Sequence, residues 1–362
     1  MKILHVANFN LLKRNGCCEN SMQKKITNGL IRAGHNVTTF SDRDLCRMLG
    51  FTGSMNTLGR KRVNKYLIKF ALEIRPDIII LGHADTIQTQ TLLKIKKQLP
   101  NVKIVDWNVD NITSVCHAED RCGSDAQYTV QKLKNKQTAS DVVLVTTADK
   151  NSLSQLKTPN NIVAFMPNIV DKSIETGRVF EHENLPYDFL FAATPTLTRE
   201  FCGKFVSVDT VAHEIMHHVP DLNSLFAGVA GHPKVHANAY QNACESAAMG
   251  LSLSHINSVY LYQSDRLAHF MGNGLLTFLD SASGYRDFFS DDEVAFYATP
   301  EELYQKIAYY KANPLERMKV AKAGHDKYVA LFNEVLVAEY IIDLVLTGQA
   351  DKNKYPWAVV LS

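Results

Sequence analysis

Short, nearly unbroken apolar runs recur through the first half of the chain, separated by longer mixed segments: KILHVAN, NVTTF, DIIILG, KIVDW, VVLVTT and IVAFM. Strands alternating with helix-like stretches predict a parallel sheet with helices on both faces. The continuous apolarity of DIIILG and VVLVTT, in place of strict alternation, fits strands buried on both sides. Residues 171–186 (DKSIETGRVFEHENLP) then turn polar and irregular and read as a linker. A second series follows, YDFLFAA, SLFAGVAG, LSLSHI, LLTFLD and VAFYA, again with helix-like segments between. Three helices close the chain over 300–312, 314–331 and 333–346, the first two opening on Pro300 and Pro314, where proline suits a first turn. The pattern therefore predicts an α/β protein of two Rossmann-like domains, 1–175 and 186–335, with a tail over 336–362. Ligands of such sheets sit beyond the carboxyl ends of the strands, so two facing sheets would place two such edges on one cleft.

Composition narrows the function classes. With 362 residues the chain can bury two ordinary cores, and 46% apolar with 21% charged residues is a globular balance. A net charge of +2 gives no broad reason to expect nucleic acid as a partner. The start MKILHVANFN enters a strand without the apolar core of a signal peptide, and no apolar run nears the roughly 20 residues that span a bilayer. A cytoplasmic location is expected, with contact limited to the membrane's inner face if there is any. Seven cysteines without regular spacing fit reduced thiols; Cys17-Cys18 and Cys116-His117 with Cys122 could serve as metal ligands, but neither group has a paired CxxC partner.

The chain is organised around Ser258 to Asp280, SVYLYQSDRLAHFMGNGLLTFLD. Ser264, Asp265 and Arg266 start a helix, with Ser264 as the expected N-cap. Leu267, Phe270 and Met271 form its apolar face, Gly272 and Gly274 stop it, and Leu275 to Leu279 form a buried strand. A helix N-terminus carries about half a positive charge and free N–H groups, so a guanidinium in its first turn completes an anion site. The diphosphate of a nucleotide-sugar is the expected anion.

That stretch, followed by GYRDFF (Gly284 to Phe289), EVAFY (Glu293 to Tyr297) and PEEL (Pro300 to Leu303), resembles the C-terminal half of the CgeB-type, spore maturation protein-like glycosyltransferases, which are similar to glycosyltransferase family 1. The resemblance is dense from Tyr187 to Gly324. It implies the GT-B fold, with the last helix crossing back to the first domain, donor on the second domain and acceptor on the first. It sets His269 where many such enzymes carry a glutamate that holds the ribose hydroxyls, and an imidazole makes one such bond where a carboxylate makes two. It sets Leu261 where the largest retaining family carries the first of two glutamates, so the stereochemistry of transfer stays open. It also places Arg199, in PTLTRE, at the opening of a helix as a second phosphate contact. Tyr262, Ser254 and Asn257, at or after the strand preceding the Arg266 helix, complete the donor-binding set with Gly274.

In the first domain, His83 follows ILG and Asp110 follows VDWN, so both belong to one sheet edge and either can take the proton of an acceptor hydroxyl. Asn8, Asn10 and Gly16 shape the acceptor side from the long first loop, and Lys13, Arg14 or the basic segment KRVNKYLIK (Lys61 to Lys69) could hold an anionic acceptor or a membrane surface. One motif points elsewhere: His213-Glu214-Ile215-Met216-His217 has the spacing of a zinc protease pair, but the third histidine of the extended form is missing. Asp42-Arg43-Asp44 resembles a D-x-D metal motif yet comes too early, and no obligatory metal or cofactor is expected. The sequence therefore reads as a glycosyltransferase that moves a sugar from a nucleotide diphosphate to a glycan, lipid-linked or protein acceptor in surface glycan, lipopolysaccharide or glycoprotein assembly. The alternatives are a nucleotide-sugar epimerase, a zinc metalloprotease and a non-catalytic sugar-binding protein.

Overall fold

The computed structural model describes residues 1–12, 16, 19–51, 53–113, 121–194 and 198–362. Lys13, Arg14, Cys17, Cys18, Cys116 and His117 lie outside the described residues, as does the side chain of Cys122. The chain forms two compact units. The first takes residues 1–112, 125–166 and 334–362, and the second contains residues 167–333.

In the first unit, β1 (Lys2–Ala7), β2 (Asn36–Ser41), β3 (Ile78–Gly82), β4 (Lys103–Asn108), β5 (Val142–Val145) and β6 (Ile162–Phe165) fall on the six apolar runs of the sequence. They pair in parallel in the order β6-β5-β4-β3-β1-β2. Their apolarity is continuous because both faces are covered. Leu4, Val6, Ile79, Leu81 and Ile104 pack on Val63, Leu67 and Ala71 of the Thr57–Ile74 helix, while Val143, Val145 and Val163 pack on Leu133 and Leu153.

In the second unit, β7 (Tyr187–Ala192), β10 (Ser224–Ala227), β11 (Ala247–Ser252), β12 (Leu276–Asp280) and β13 (Ala295–Tyr297) form a parallel sheet in the order β10-β7-β11-β12-β13. Between β7 and β10 lies an antiparallel hairpin, β8 (Thr198–Phe201) with β9 (Lys204–Ser207), turning at Cys202 (φ 48°) and Gly203 (φ 76°). Residues 171–186, which the sequence suggests are a linker, are folded into this unit. Their polar side chains close turns: Asp171 Oδ1 accepts from Ser173 N at 2.8 Å, and Glu175 Oε2 accepts from Asp171 N at 2.8 Å. Gly177 N donates to Asn273 Oδ1 at 2.8 Å.

After the second unit the chain returns to the first through the Glu334–Thr347 helix, and β14 (Val360–Leu361) adds to the β6 edge antiparallel. Tyr340 donates its hydroxyl to Phe165 O at 3.0 Å, and Glu334 pairs with Arg32. This helix sits against the Met22–Arg32 helix so closely that a Cβ on Gly29 would lie 2.0 Å from Glu334 O. Gly29→Ala is therefore expected to destabilise the first unit by about 1–3 kcal/mol, the range for overpacking a tight contact. An unchanged denaturant midpoint would show that the two helices do not meet there.

Candidate functional site in the second unit

The helix Arg266–Asn273 begins one residue later than the sequence suggests. Asp265 occupies the N-cap position with helical dihedrals (φ −54°, ψ −17°), so Ser264 is not the cap. Because the chain is already turning at Asp265, the Ser264 carbonyl accepts from Leu267 N at 3.1 Å. That leaves the Ser264 hydroxyl to accept from Arg266 Nη1 at 3.1 Å, while the same nitrogen donates to Leu253 O at 3.0 Å. Among the described residues no carboxylate reaches ion-pair distance of this guanidinium, and burial lowers its pKa from the ordinary arginine value. A cation removed from water and bonded only to neutral oxygens is a standing attraction for an anion.

Two more nitrogen-bearing side chains converge there. Arg199 is only 5% exposed, and it lies in β8 of the hairpin instead of opening a helix as the resemblance implies. His255 stands in the loop beyond β11. Its imidazole is held neutral, with a pKa lowered to about 3 by burial first and then by the positive charges of Arg199 and Arg266. Neither His255 nor Glu200 is singled out by the sequence.

Glu200 explains the shape of that loop. Its buried carboxylate accepts from Asn257 N at 2.7 Å, Ser258 N at 2.9 Å and Ser258 Oγ at 2.9 Å. Asn257 Nδ2 donates to Glu200 O at 2.5 Å, and its Oδ1 accepts from Ser254 N and Gln263 Nε2. Ser254 Oγ donates to Gln263 Oε1 at 2.7 Å and accepts from Ser264 N at 2.8 Å. Ser254 and Asn257 are fully buried, so their side chains hold the loop that carries His255 and Arg266. Tyr262 is also buried, packing with Ile256, Val259 and Phe205.

His269, 6% exposed, has Nδ1 at 2.7 Å from Glu175 Oε1 and Nε2 at 3.3 Å from Asp265 Oδ2. Both ring nitrogens thus face carboxylates of this unit. Gly274 ends the helix with a left-handed backbone (φ 80°), and a Cβ there would lie 2.3 Å from the Phe180 ring. Its place is structural, since only glycine meets both demands cheaply.

In the HExxH segment, His213, Glu214 and His217 are exposed on the Val208–His218 helix, and Glu214 lies 3.5 Å from His218 Nε2. Its buried face, Val211, Ala212 and Ile215, belongs to the core. Among the described residues no three His, Cys, Asp or Glu side chains are grouped to hold a metal ion.

In the first unit His83 follows β3 with a left-handed backbone (φ 47°), packed edge-on to Trp107 at 5.7 Å between ring centroids. Its Nδ1 lies 3.5 Å from Asp110 Oδ2 and 3.4 Å from Asn108 Nδ2. Burial lowers the His83 pKa, opposed by Asp110 and Asp85 and assisted by Arg43 and Lys132. Asp110 is exposed, and its backbone N–H is fixed on Asn108 Oδ1 at 2.7 Å.

Asn8 and Asn10 follow β1. Asn8 O accepts from Gln23 Nε2 at 3.1 Å, Asn10 has φ 52°, and Gly16 (φ 64°) turns the loop, its carbonyl accepting from Glu19 N at 3.0 Å. Asp42 and Asp44 serve backbone and hydroxyl donors: Asp42 takes Thr86 N and Oγ1, and Asp44 takes Leu11 N and Ser41 Oγ. Lys61, Lys65 and Lys69 line one exposed stripe of the Thr57–Ile74 helix. No helix among the described residues is long and apolar enough to cross a membrane.

A glycosyl transferase-like family model matches residues 210–343. No curated protein sequence matches the chain. Among solved structures, HepE of Anabaena in complex with UDP and glucose is similar over 96% of this chain and 100% of its own, at 10% identity and a TM-score of 0.59. The OtsA apo structure matches over 97% and 100% at 11% identity and a TM-score of 0.58. A putative UDP-N-acetylglucosamine 2-epimerase from Listeria monocytogenes matches over 96% of each chain at 10% identity and a TM-score of 0.50. The chain has the GT-B fold, and its residues 210–343 carry the sequence pattern of the glycosyl transferase-like family.

Proposed function

We propose that the protein is a glycosyltransferase that transfers a sugar from a UDP-sugar to an acceptor hydroxyl of a glycan, lipid-linked or protein acceptor, in the manner of the CgeB-type enzymes. The observation that carries this reading is Arg266, a partly buried guanidinium at a helix mouth whose bonds, among the described residues, go to Leu253 O and Ser264 Oγ. With Arg199 it supplies the charge that a departing nucleotide diphosphate needs. UDP is the preferred nucleotide because HepE has been crystallised with UDP and with UDP-glucose.

In the transfer, the acceptor oxygen forms a bond to the anomeric carbon as the bond from that carbon to the diphosphate oxygen breaks. The electron pair leaves with the nucleotide diphosphate, onto the Arg199 and Arg266 side. His83, kept neutral by burial, takes the acceptor proton, and Asp110 faces the resulting imidazolium. Two guanidiniums fill the role a divalent cation plays elsewhere, so the reaction needs no metal. Activity is accordingly expected to survive EDTA treatment and dialysis, and a loss of more than about tenfold, restored by a divalent cation, would contradict this. The reading places the enzyme in the cytoplasm, at surface glycan, lipopolysaccharide or glycoprotein assembly, with the Lys61, Lys65 and Lys69 stripe available to an anionic acceptor or membrane face.

A thermal-shift screen against UDP, GDP, CDP, ADP and dTDP tests the donor site. A nucleotide at 100 times its dissociation constant stabilises by about 2.7 kcal/mol, and UDP is expected to give the largest shift. No shift with any of the five would overturn the reading. The second reading, a nucleotide-sugar epimerase, follows from the likeness to the Listeria protein. Incubation with UDP-sugars separates the two: release of UDP that depends on acceptor supports transfer, and an altered sugar still joined to UDP supports epimerisation.

A further inference from the structure

We propose that the first unit grips a phosphate group of the acceptor in a cavity walled by the Thr89–Gln98 and Arg121–Lys136 helices, on Lys136, Lys132 and the first N–H groups of the Thr89–Gln98 helix, an inference that rests on the first unit being the acceptor side. The cavity measures about 600 Å³, and Asp85, Gln88, Thr89, Lys132 and Lys136 are among its walls. Its wall begins two residues beyond the proposed base, where Asp85 N donates to His83 O at 2.7 Å. The cavity and His83 therefore share the sheet edge beyond β3, and one acceptor can use both.

Lys136 is the observation that points to an anion. The residue is only 8% exposed and lines the cavity. Among the described residues its Nζ makes no hydrogen bond and reaches no carboxylate at ion-pair distance, acting on Asp42, Asp85 and Asp106 only through space. An ammonium buried in that state is unfavourable, and the negative charge of a ligand relieves it. The carboxylates nearby do not. Asp85 is already shared by Arg43 and by Lys132, whose Nζ lies 3.1 Å from Oδ1. Burial works to raise the Asp85 pKa, but Arg43 and Lys132 hold it below the ordinary value. Asp42 gives Oδ2 to Thr86 N and Oγ1. Burial raises the pKa of Asp42 and of Asp106, moving both towards the neutral form. Arg43, Lys132 and Lys136 thus face one firmly ionised carboxylate.

The helix start adds donors on the same wall. The Thr89–Gln98 helix has no acidic residue in its first turn, and the side chain of its N-cap residue, Gln88, makes no capping bond. Gln88 N donates to Asn64 Oδ1, and Thr91 N and Leu92 N donate to Gln88 O, but among the described residues nothing accepts from Thr89 N or Gln90 N. N–H groups at the positive end of a helix suit an anion, and each lysine adds a compact charge with three donors. A phosphomonoester, with about 1.5–2 negative charges and three acceptor oxygens, matches two lysines and a helix start better than a carboxylate does. Binding makes hydrogen bonds only, and no covalent bond changes.

The experiment is calorimetric titration of inorganic phosphate into the protein saturated with UDP, so that the donor site is filled, comparing the unsubstituted protein with Lys136→Met and Lys132→Ala. Phosphate is expected to bind the unsubstituted protein, about 10- to 100-fold more weakly after Lys136→Met, the usual loss for a hydrogen bond to a charged group, and more weakly by a smaller factor after Lys132→Ala. Lys136→Met removes a buried cation that has no ion pair, so the unliganded melting temperature should not fall. A lysine that serves only the fold would give the reverse, a lower melting temperature with phosphate affinity unchanged, and that result would overturn the inference. Lys132→Ala, at a partly exposed position, gives the reading if Lys136→Met does not fold, and equal phosphate affinity in the folded variants would be equally fatal. Glucose 1-phosphate and phosphatidylcholine vesicles carrying a polyprenyl phosphate then separate a soluble from a lipid-linked acceptor. The correct class binds more tightly than inorganic phosphate and loses that affinity with the lysine, and neither doing so would overturn the assignment to the acceptor. Absence of phosphate binding by protein that binds UDP would overturn this inference alone, whereas failure to bind UDP would overturn the transferase reading on which it rests.

Discussion

Arg266→Ala is expected to weaken UDP binding by about 30- to 1,000-fold, the equivalent of roughly 2–4 kcal/mol, which is the cost of truncating one member of a buried charge pair. The reason is that, among the described residues, no carboxylate reaches ion-pair distance of this guanidinium. The side chain gives up only two bonds to neutral oxygens of its own unit, so the loss should appear in ligand binding far more than in the unliganded melting temperature. Arg266→Lys should fall between, because a point charge survives while the planar fork is lost. Equal UDP affinity for Arg266→Ala and the unsubstituted protein would remove Arg266 from the site.

His83→Asn should lower the rate of transfer by about 100- to 10,000-fold, the usual contribution of a general base, with UDP affinity unchanged. Asparagine is the informative replacement because His83 has φ 47°, a left-handed conformation that asparagine tolerates better than most residues. It removes the base without adding backbone strain. The pH profile gives a second reading. Burial lowers the pKa of His83, with Asp110 and Asp85 opposing and Arg43 and Lys132 assisting. Its neutral, proton-accepting form therefore persists to lower pH than in a free histidine, whose pKa is about 6.5. The rate should rise with pH through a value below that one and then level off, and His83→Asn should lose this acid limb. An unaltered profile in the variant would assign the proton to another group.

The strands were legible in the sequence because both sheets bury both faces. DIIILG and VVLVTT carry their own evidence, and β3 and β5 lie within them. The closing helices were legible for a different reason, since Pro300 and Pro314 mark first turns locally. What was harder to read depends on residues distant in sequence. Arg199 is drawn by the resemblance toward a helix, yet TREFCGKFVS is two short strands around Cys202 and Gly203, both with positive φ, as two-residue hairpin turns require. The glycine was the available signal.

His255 lies hidden in LSLSHI, which reads as one strand. The strand stops at Ser252 because Ser254 and Asn257 divert the backbone into side-chain hydrogen bonds. Glu200 carries no signal of its own in the sequence. Its burial makes sense only once Asn257 and Ser258, far along the chain, are seen to donate to it. The 171–186 segment misleads in the same way, since the polarity that suggests a linker is used by Asp171 and Glu175 to close turns.

A crystal structure of the protein soaked with UDP tests the central claim most directly. It should show the β-phosphate within hydrogen-bond distance of the Arg266 guanidinium at the mouth of the Arg266–Asn273 helix, with Arg199 at its other oxygens. UDP bound anywhere else on the second unit, or a diphosphate that leaves Arg266 bonded only to Leu253 O and Ser264 Oγ, would contradict it.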